Sequence, residues 1–332
     1  MPDSLHTGPT PGLPLPRAQL EDWFSDRLTT TGVRIVLARL LAGGAVQHNW
    51  RIDVDTGRET HAFVLRAGPN PGLPESLPKA AEFAFLTRAH ATGIPVPEPL
   101  WVADADVPFF VTAFVAGDAR RASLIARSDN SALIQDLASA LARIHEIHPG
   151  EDAACNTPGS RVATLVQWFD GIGPLPTEIA NGLGTGLRWL RAHAPADTGA
   201  RLVHRDFRTG NFLVADGRLT AVLDWEFAGW GDPAEDFGWF CAACWRGDAR
   251  GRAAGGLGAR ESFHEAYTAA GGTVPDRERV RFWEVFAHLR WTLIALQQGA
   301  RARAGAYPAW ELEEAATRVP GLLDGVARMV RA

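Results

Sequence analysis

At Gly117 the hydrophobic period of this chain changes. Before it, apolar residues come in short β-type runs at Val33–Leu41, Trp50–Val54, His61–Leu65, Leu100–Ala103 and Phe109–Val115. Breaks at Gly43-Gly44 and Asp55-Thr56-Gly57 read as hairpin turns, and turns that short can join only antiparallel strands. Two helices interrupt the meander. Arg17–Leu28 carries Leu20, Trp23, Phe24 and Leu28 at helical spacing and is expected to pack on a sheet edge. Ser76–Thr92 ends at Gly93, after which Pro95, Pro97 and Pro99 force an extended segment.

Beyond Gly117 the helical period dominates, at Leu133–His148, Val162–Phe169, Glu178–Ala194 and from Asp236 onward, with loops at Gly255–Gly258 and Gly271–Pro275. Strand patterns return only at Leu202-Val203, Phe212–Val214 and Leu219–Leu223. A small antiparallel-sheet part followed by a larger, mainly helical part predicts an α+β, bilobal architecture, with the ligand sought in the cleft between them. The divisions expected are residues 1–16 as a disordered tail, 17–115 as the sheet part and 116–332 as the helical part.

Composition narrows the function classes. With 46% hydrophobic and 21% charged residues the chain can build a core, and its net charge of −5 offers no field for nucleic acid or an anionic membrane surface. Lys79 is the only lysine, and it lies between Pro78 and Ala80, so no Gly-Lys-Ser/Thr phosphate loop exists. Schiff-base chemistry would have to rest on that same residue. Three cysteines are too few for a disulfide framework, no apolar run reaches the length of a membrane span, and Met1–Pro16 lacks the pattern of a signal peptide. The expectation is a cytoplasmic protein.

Chemistry concentrates in Leu202–Trp239. A short strand is followed by His204-Arg205-Asp206, then Asn211 five residues after Asp206, then a hairpin turning at Asp216-Gly217 that returns the chain to Asp224. Asp206, Asn211 and Asp224 thus meet at one end of a hairpin. Three oxygen-bearing side chains so placed suit Mg²⁺, which takes carboxylate and amide oxygens together with substrate phosphates. Phosphoryl transfer needs this set: one carboxylate to orient or deprotonate the accepting hydroxyl, and others to hold the metals that neutralise a triphosphate.

The segment resembles the catalytic loop of protein-kinase-like enzymes, and most closely that of the aminoglycoside phosphotransferase family. His204-Arg205-Asp206 with Asn211 matches H-R-D-x-x-x-x-N, and Asp224 followed by Gly231-Asp232-Pro233 and Asp236 resembles the smaller family's signature. The resemblance extends over roughly residues 30 to 300 and implies a protein-kinase-like fold with a nucleotide-binding N-lobe and a catalytic, substrate-binding C-lobe. It implies ATP and Mg²⁺ as cofactors, Asp206 as catalytic base and Asn211 and Asp224 as metal ligands. Asp232 and Asp236 would tie the metal-bearing loop to the next helix.

The same resemblance places Arg66 where protein kinases carry the lysine that grips the α- and β-phosphates, and Glu82 as its ion-pair partner on the following helix. Arginine there is a departure, since its delocalised fork differs from a point charge. A surface ion pair is the alternative meaning of these two residues. Gly43 and Gly44, in Leu40–Trp50, resemble the nucleotide-covering loop, although taken alone they are a hairpin turn. Thr112 and Phe114 fall in the linker strand whose backbone would pair with adenine. Arg208 sits where protein kinases have a lysine beside the transferring phosphate; it either stabilises charge on the moving phosphoryl group or is a solvated loop arginine.

Other signals point to packing. Cys241 and Cys244 fall on a helix without a second ligand pair, His145 and His148 lack a third ligand, and Gly182–Gly186 imitates a dinucleotide loop with no strand before it. Trp225, Trp230, Trp239 and Trp291 are candidates for the substrate cleft, and Arg290, in an apolar helix, either snorkels or faces that cleft. From Cys241 to Ala332 there are 13 arginines against 10 acidic residues. That surplus favours a neutral or anionic small-molecule hydroxyl acceptor, such as a sugar, an amino alcohol or a hydroxyacyl thioester, over an aminoglycoside antibiotic. No A-P-E segment is present and Asp224-Trp225-Glu226 replaces Asp-Phe-Gly, which argues against a peptide substrate. A nucleotide-binding pseudokinase module is the reading from another class.

Overall fold

A computed structural model describes residues 12–41, 47–68, 73–246, 249, 251–304 and 314–331. Its first part is a five-stranded antiparallel sheet of order β1-β2-β3-β5-β4, formed by Arg34–Leu40, His48–Asp55, Thr60–Ala67, Pro99–Ala103 and Phe109–Ala113 as β1 to β5 in chain order. The β2–β3 register pairs Asp55 with Thr60 around Gly57, whose φ of 79° suits a residue without Cβ. Helix α1 (Arg17–Leu28) meets edge strand β1, where the Ile35 N–H donates to Glu21 at 2.8 Å, and it also reaches across the sheet. Its fully buried Leu20 and Phe24 cover one sheet face, where Phe24 stacks on Phe63 of central β3 at 5.4 Å and meets Trp101 of β4 at 6.2 Å.

Strand alternation then sorts β3. Phe63 and Leu65 join the core under α1, while Val64 and Arg66 line the opposite, cleft-facing side. A slip of one residue would bury Arg66 under α1. Helix α2 (Lys79–Ala91) begins three residues later than the apolar spacing suggests. Leu77, before the helix, donates its N–H to the Glu226 carbonyl at 2.7 Å.

The second part is mainly helical: α3 (Arg121–Ile125), α4 (Ser131–His145), α5 (Pro158–Gly171), α6 (Thr177–Ala192), α7 (Ala234–Cys241), α8 (Arg260–Ala269), the long α9 (Arg277–Arg303) and a C-terminal helix Val319–Arg331. Gly182–Gly186 lies inside α6 and forms no loop. Two short two-stranded sheets carry the polar segment. Strands β7 (Phe212–Ala215) and β8 (Arg218–Val222) turn at Asp216 and Gly217, both with positive φ, as a two-residue hairpin requires. Strand β6 (Arg201–Val203) pairs with β9 (Gly229–Gly231), a Gly-Trp-Gly run too short to show a strand period. The α+β architecture expected from the change of period is the one observed. Among the described residues no helix is long and apolar enough to cross a membrane.

Candidate active site

The hairpin and its flanking loops bring Asp206, Arg208, Asn211 and Asp224 to one wall of a cleft of about 980 Å³. Arg66, Glu82, Thr112 and Phe114 line the same cleft, so eight candidate residues from two parts of the chain share it. Gly43 and Gly44 lie outside the described residues. Asp224 does not end a strand: β8 stops at Val222, and Asp224 follows in a left-handed conformation, φ 68°. Arg205, just before Asp206, is likewise left-handed at φ 62°. Such conformations cost energy in residues with a Cβ, so surrounding contacts must hold both turns.

Those contacts are buried. Asp236 of α7 accepts the backbone N–H groups of His204 and Arg205 at 2.8 and 2.7 Å, and its carboxylate also meets His145 Nε2 at 3.1 Å. His145 is thus a support for the loop anchor, with its Nδ1 at 2.8 Å from the Tyr267 hydroxyl. His204 Nε2 donates to the Leu223 carbonyl at 2.9 Å, while Nδ1 accepts the Asp206 N–H at 3.2 Å. One nitrogen donates and the other accepts, so the ring is neutral, in keeping with the burial that pushes its pKa down. It ties the Asp206 turn to the residue before Asp224. Asp232 accepts the Ala234 N–H at 3.0 Å at the start of α7 and reaches α9 through Trp283 and Arg279 at 2.7 and 2.8 Å.

Asp206 accepts three side-chain hydrogen bonds. Asn211 Nδ2 donates to its Oδ2 at 2.6 Å, and Trp239 Nε1 and Arg208 Nε donate to Oδ1 at 2.9 and 3.0 Å. Because the Asn211 amide nitrogen must face that carboxylate, its Oδ1 is turned away, and it takes part in no hydrogen bond among the described residues. Asn211 Oδ1 and the Asp224 carboxylate are hard oxygen donors in one cleft, the kind of partial set Mg²⁺ accepts when phosphates supply the rest. Among the described residues no cluster of three His, Cys, Asp or Glu could hold a metal alone.

Arg66 joins the two parts. Its Nε lies 2.7 Å from Glu82 Oε1, its Nη2 pairs with Asp224 Oδ1, and its Nη1 donates to Asn49 at 3.3 Å. Burial alone would lower its pKa, but the charges of Glu82, Asp224 and Glu226 push it up. The pair with Glu82 is buried, which removes the surface ion-pair alternative. Lys79 also holds Glu82, at 2.6 Å, so the sole lysine is spent on positioning. Burial and then the neighbouring Asp224 charge push the Glu226 carboxyl up to about 7, while Gln47 and Ser76 donate to its Oε2 at 2.9 and 2.8 Å.

At the linker, Phe114 donates its N–H to the Ala62 carbonyl at 3.0 Å, so that group is not free for a base. The Phe114 carbonyl and the Val115 N–H make no hydrogen bond among the described residues. Trp225, Trp239 and Trp291 line the cleft as expected, but Trp230 does not: it sits on β9 against Phe85, with Arg88 over its ring at 5.4 Å. Arg290 neither snorkels nor faces the cleft. It is buried between Phe227 and Trp239, its guanidinium 4.5 and 4.7 Å from their ring centroids. Sequence reasoning missed Glu75 and Trp245, neither of which stands in a motif, and gave Glu226 no role at the site.

Solved structures share the whole architecture. A Ralstonia eutropha protein assigned as an aminoglycoside phosphotransferase superposes with a TM-score of 0.71 at 17% identity, covering 95% of this chain and 98% of that one. Spectinomycin phosphotransferase, solved with ADP and spectinomycin, gives 0.66 at 11% identity over 96% and 100%. A choline/ethanolamine kinase family protein from Mesorhizobium loti gives 0.55 at 20% over 91% and 92%. At such identities the likeness establishes fold alone. Among curated sequences, acyl-CoA dehydrogenase family member 11 of Gallus gallus is 31% identical over 192 residues, 53% of this chain and 24% of that protein. Family member 10 of Mus musculus is 27% identical over 194 residues, 54% of this chain and 18% of that protein. The matches therefore span a quarter or less of these longer relatives. The sequence profile of the phosphotransferase enzyme family matches residues 38–283, well over half of the chain, and the chain belongs to that family.

Proposed function

We propose that this protein transfers the γ-phosphoryl group of ATP to a hydroxyl group of a neutral or anionic small molecule. The observation that carries this reading is the meeting of Asp206, Asn211, Asp224 and the buried Arg66–Glu82 pair in one cleft, in a chain of the phosphotransferase enzyme family. Residues 17–115 would hold the nucleotide, with the Phe114 carbonyl and the Val115 N–H facing the base and Arg66 the phosphates. Asn211 Oδ1 and Asp224 would hold Mg²⁺, which when bound neutralises charge on the triphosphate. The acceptor oxygen forms a bond to the γ-phosphorus as the bond from that phosphorus to the β,γ-bridging oxygen breaks, releasing ADP.

Asp206 takes the hydroxyl proton. Three donors already hold its carboxylate, so it serves first to aim the hydroxyl, and a loose transition state asks little more of a base. Arg208, at 3.0 Å from Asp206, lies close enough to share the charge on the phosphoryl oxygens in flight. A screen of hydroxylated metabolites and aminoglycosides for Mg²⁺-dependent ADP release tests the reading. Release with a metabolite, lost in Asp206→Asn, supports it. Preference for an aminoglycoside corrects the acceptor, and tight ATP binding without turnover on any acceptor would make the protein a regulatory module.

A further inference from the structure

A row of indoles runs along the cleft wall from Asp206. Trp239 donates Nε1–H to the Asp206 carboxylate at 2.9 Å, its ring lies 5.1 Å from that of Trp245, and Trp245 lies 5.0 Å from Trp291. Trp245 is only 4% exposed. Trp245 and Trp291 both line the cleft, and each carries a buried Nε1–H that finds no hydrogen-bond partner among the described residues. An indole N–H can only donate, so each needs an acceptor from elsewhere.

Cations surround the same row. The Arg208 guanidinium lies over the Trp245 ring at 5.0 Å, and Arg121 donates through Nε and Nη2 to the Trp245 carbonyl at 3.1 and 2.7 Å. Arg318 lines the cleft as well. Burial, then the charges of Arg318 and Arg208, push the Arg121 guanidinium down, so both lie within electrostatic reach of Arg121. Carboxylates that could receive an ammonium group are already taken among the described lining residues. Asp118 pairs with Arg120 at 2.9 Å, Glu314 with Arg318 at 2.8 Å and Asp206 with Arg208 at 3.0 Å, Glu82 and Asp224 hold Arg66, and Glu226 accepts from Gln47 and Ser76 at 2.9 and 2.8 Å.

We propose that the acceptor is a hydroxylated organic anion: its carboxylate is received by the indole N–H groups of Trp245 and Trp291, by Arg121, and by Arg318, which exchanges its exposed partner Glu314 for the ligand. Its apolar stem lies along the tryptophan row, and its hydroxyl reaches Asp206. This rests on the phosphotransfer reading for the hydroxyl, but the anion site itself rests on the orphaned donors and the arginines. An acceptor-rich group satisfies donors that are otherwise left bare, whereas an ammonium group adds more donors and like charge.

Three six-carbon probes of matched length separate the chemistries: 6-hydroxyhexanoate, 1,6-hexanediol and 6-aminohexan-1-ol. Calorimetric binding to the protein with ADP and Mg²⁺ is measured beside ADP release from ATP. The hydroxy acid is expected to bind about tenfold tighter than the diol, with the amino alcohol weakest. Arg121→Gln with Arg318→Gln should abolish most of that preference, and Trp245→Phe, which keeps an aromatic ring but removes the N–H, should reduce it. Thermal melting and ADP affinity check that the variants fold; the wild-type ranking decides by itself if they do not. Equal or tighter binding of the amino alcohol, a preference untouched in the folded arginine variant, or no binding of the hydroxy acid overturns the site. Preferential binding of the hydroxy acid without ADP release leaves the anion site standing and removes the phosphotransfer reading. ADP release that favours the amino alcohol does the reverse.

Discussion

Arg290→Leu is expected to destabilise the protein by about 3 kcal/mol. Arg290 Nε donates to Glu75 Oε2 at 2.7 Å and Nη1 to the Arg205 carbonyl at 2.7 Å, both inside the protein. Burial would raise the Glu75 carboxyl, but Arg161 and Arg290 bring it down from 4.5 to about 2. At 1.36 kcal/mol per unit that shift corresponds to about 3 kcal/mol, and Arg161 retains roughly half of it when Arg290 is lost. The Arg205 carbonyl then stands unpaired, which adds about 1–3 kcal/mol. The sign of the pH dependence follows from the depressed carboxyl. Its contribution is complete above the unfolded value of 4.5 and is lost as pH falls toward about 2. Wild type and variant should therefore converge in part across that interval. Urea unfolding followed by tryptophan fluorescence, at neutral pH and at steps down to about pH 2, reads both effects. A loss under about 1 kcal/mol, or a gap that keeps its full size down to the lowest pH, would refute the argument.

Asp206→Asn is expected to remove nearly all turnover while leaving ATP affinity close to wild type, because the loss falls on the aimed hydroxyl; single-turnover kinetics beside nucleotide titration checks it. Asp224→Ala should weaken Mg²⁺-dependent nucleotide binding more than Asn211→Ala does, since it removes a full charge, and an unchanged Mg²⁺ titration in Asp224→Ala contradicts the assignment. Arg208→Ala should lower kcat about a hundredfold with little change in ATP affinity, and Arg208→Lys should restore part of it, as removing one transition-state donor costs about 2.7–4 kcal/mol. A drop confined to affinity would assign Arg208 to ground-state binding.

Local chemistry made much of this protein legible in its sequence. The change of period at Gly117 separated sheet from helices, because alternation along a strand and the 3.6-residue turn are written within single elements. Asp206, Asn211 and Asp224 converge through one hairpin whose Asp216-Gly217 turn sets their register, so their spacing carried the arrangement. Tertiary structure decided what holds them. Glu75 meets Arg290 across 215 positions, Gln47 meets Glu226 across 179 and Arg66 meets Asp224 across 158. A buried charge can pair with any opposite charge the fold delivers, and nothing local tells which one arrives. The same reason hid the surroundings of Trp245, whose ring meets Arg208 and whose carbonyl meets Arg121 only through the fold.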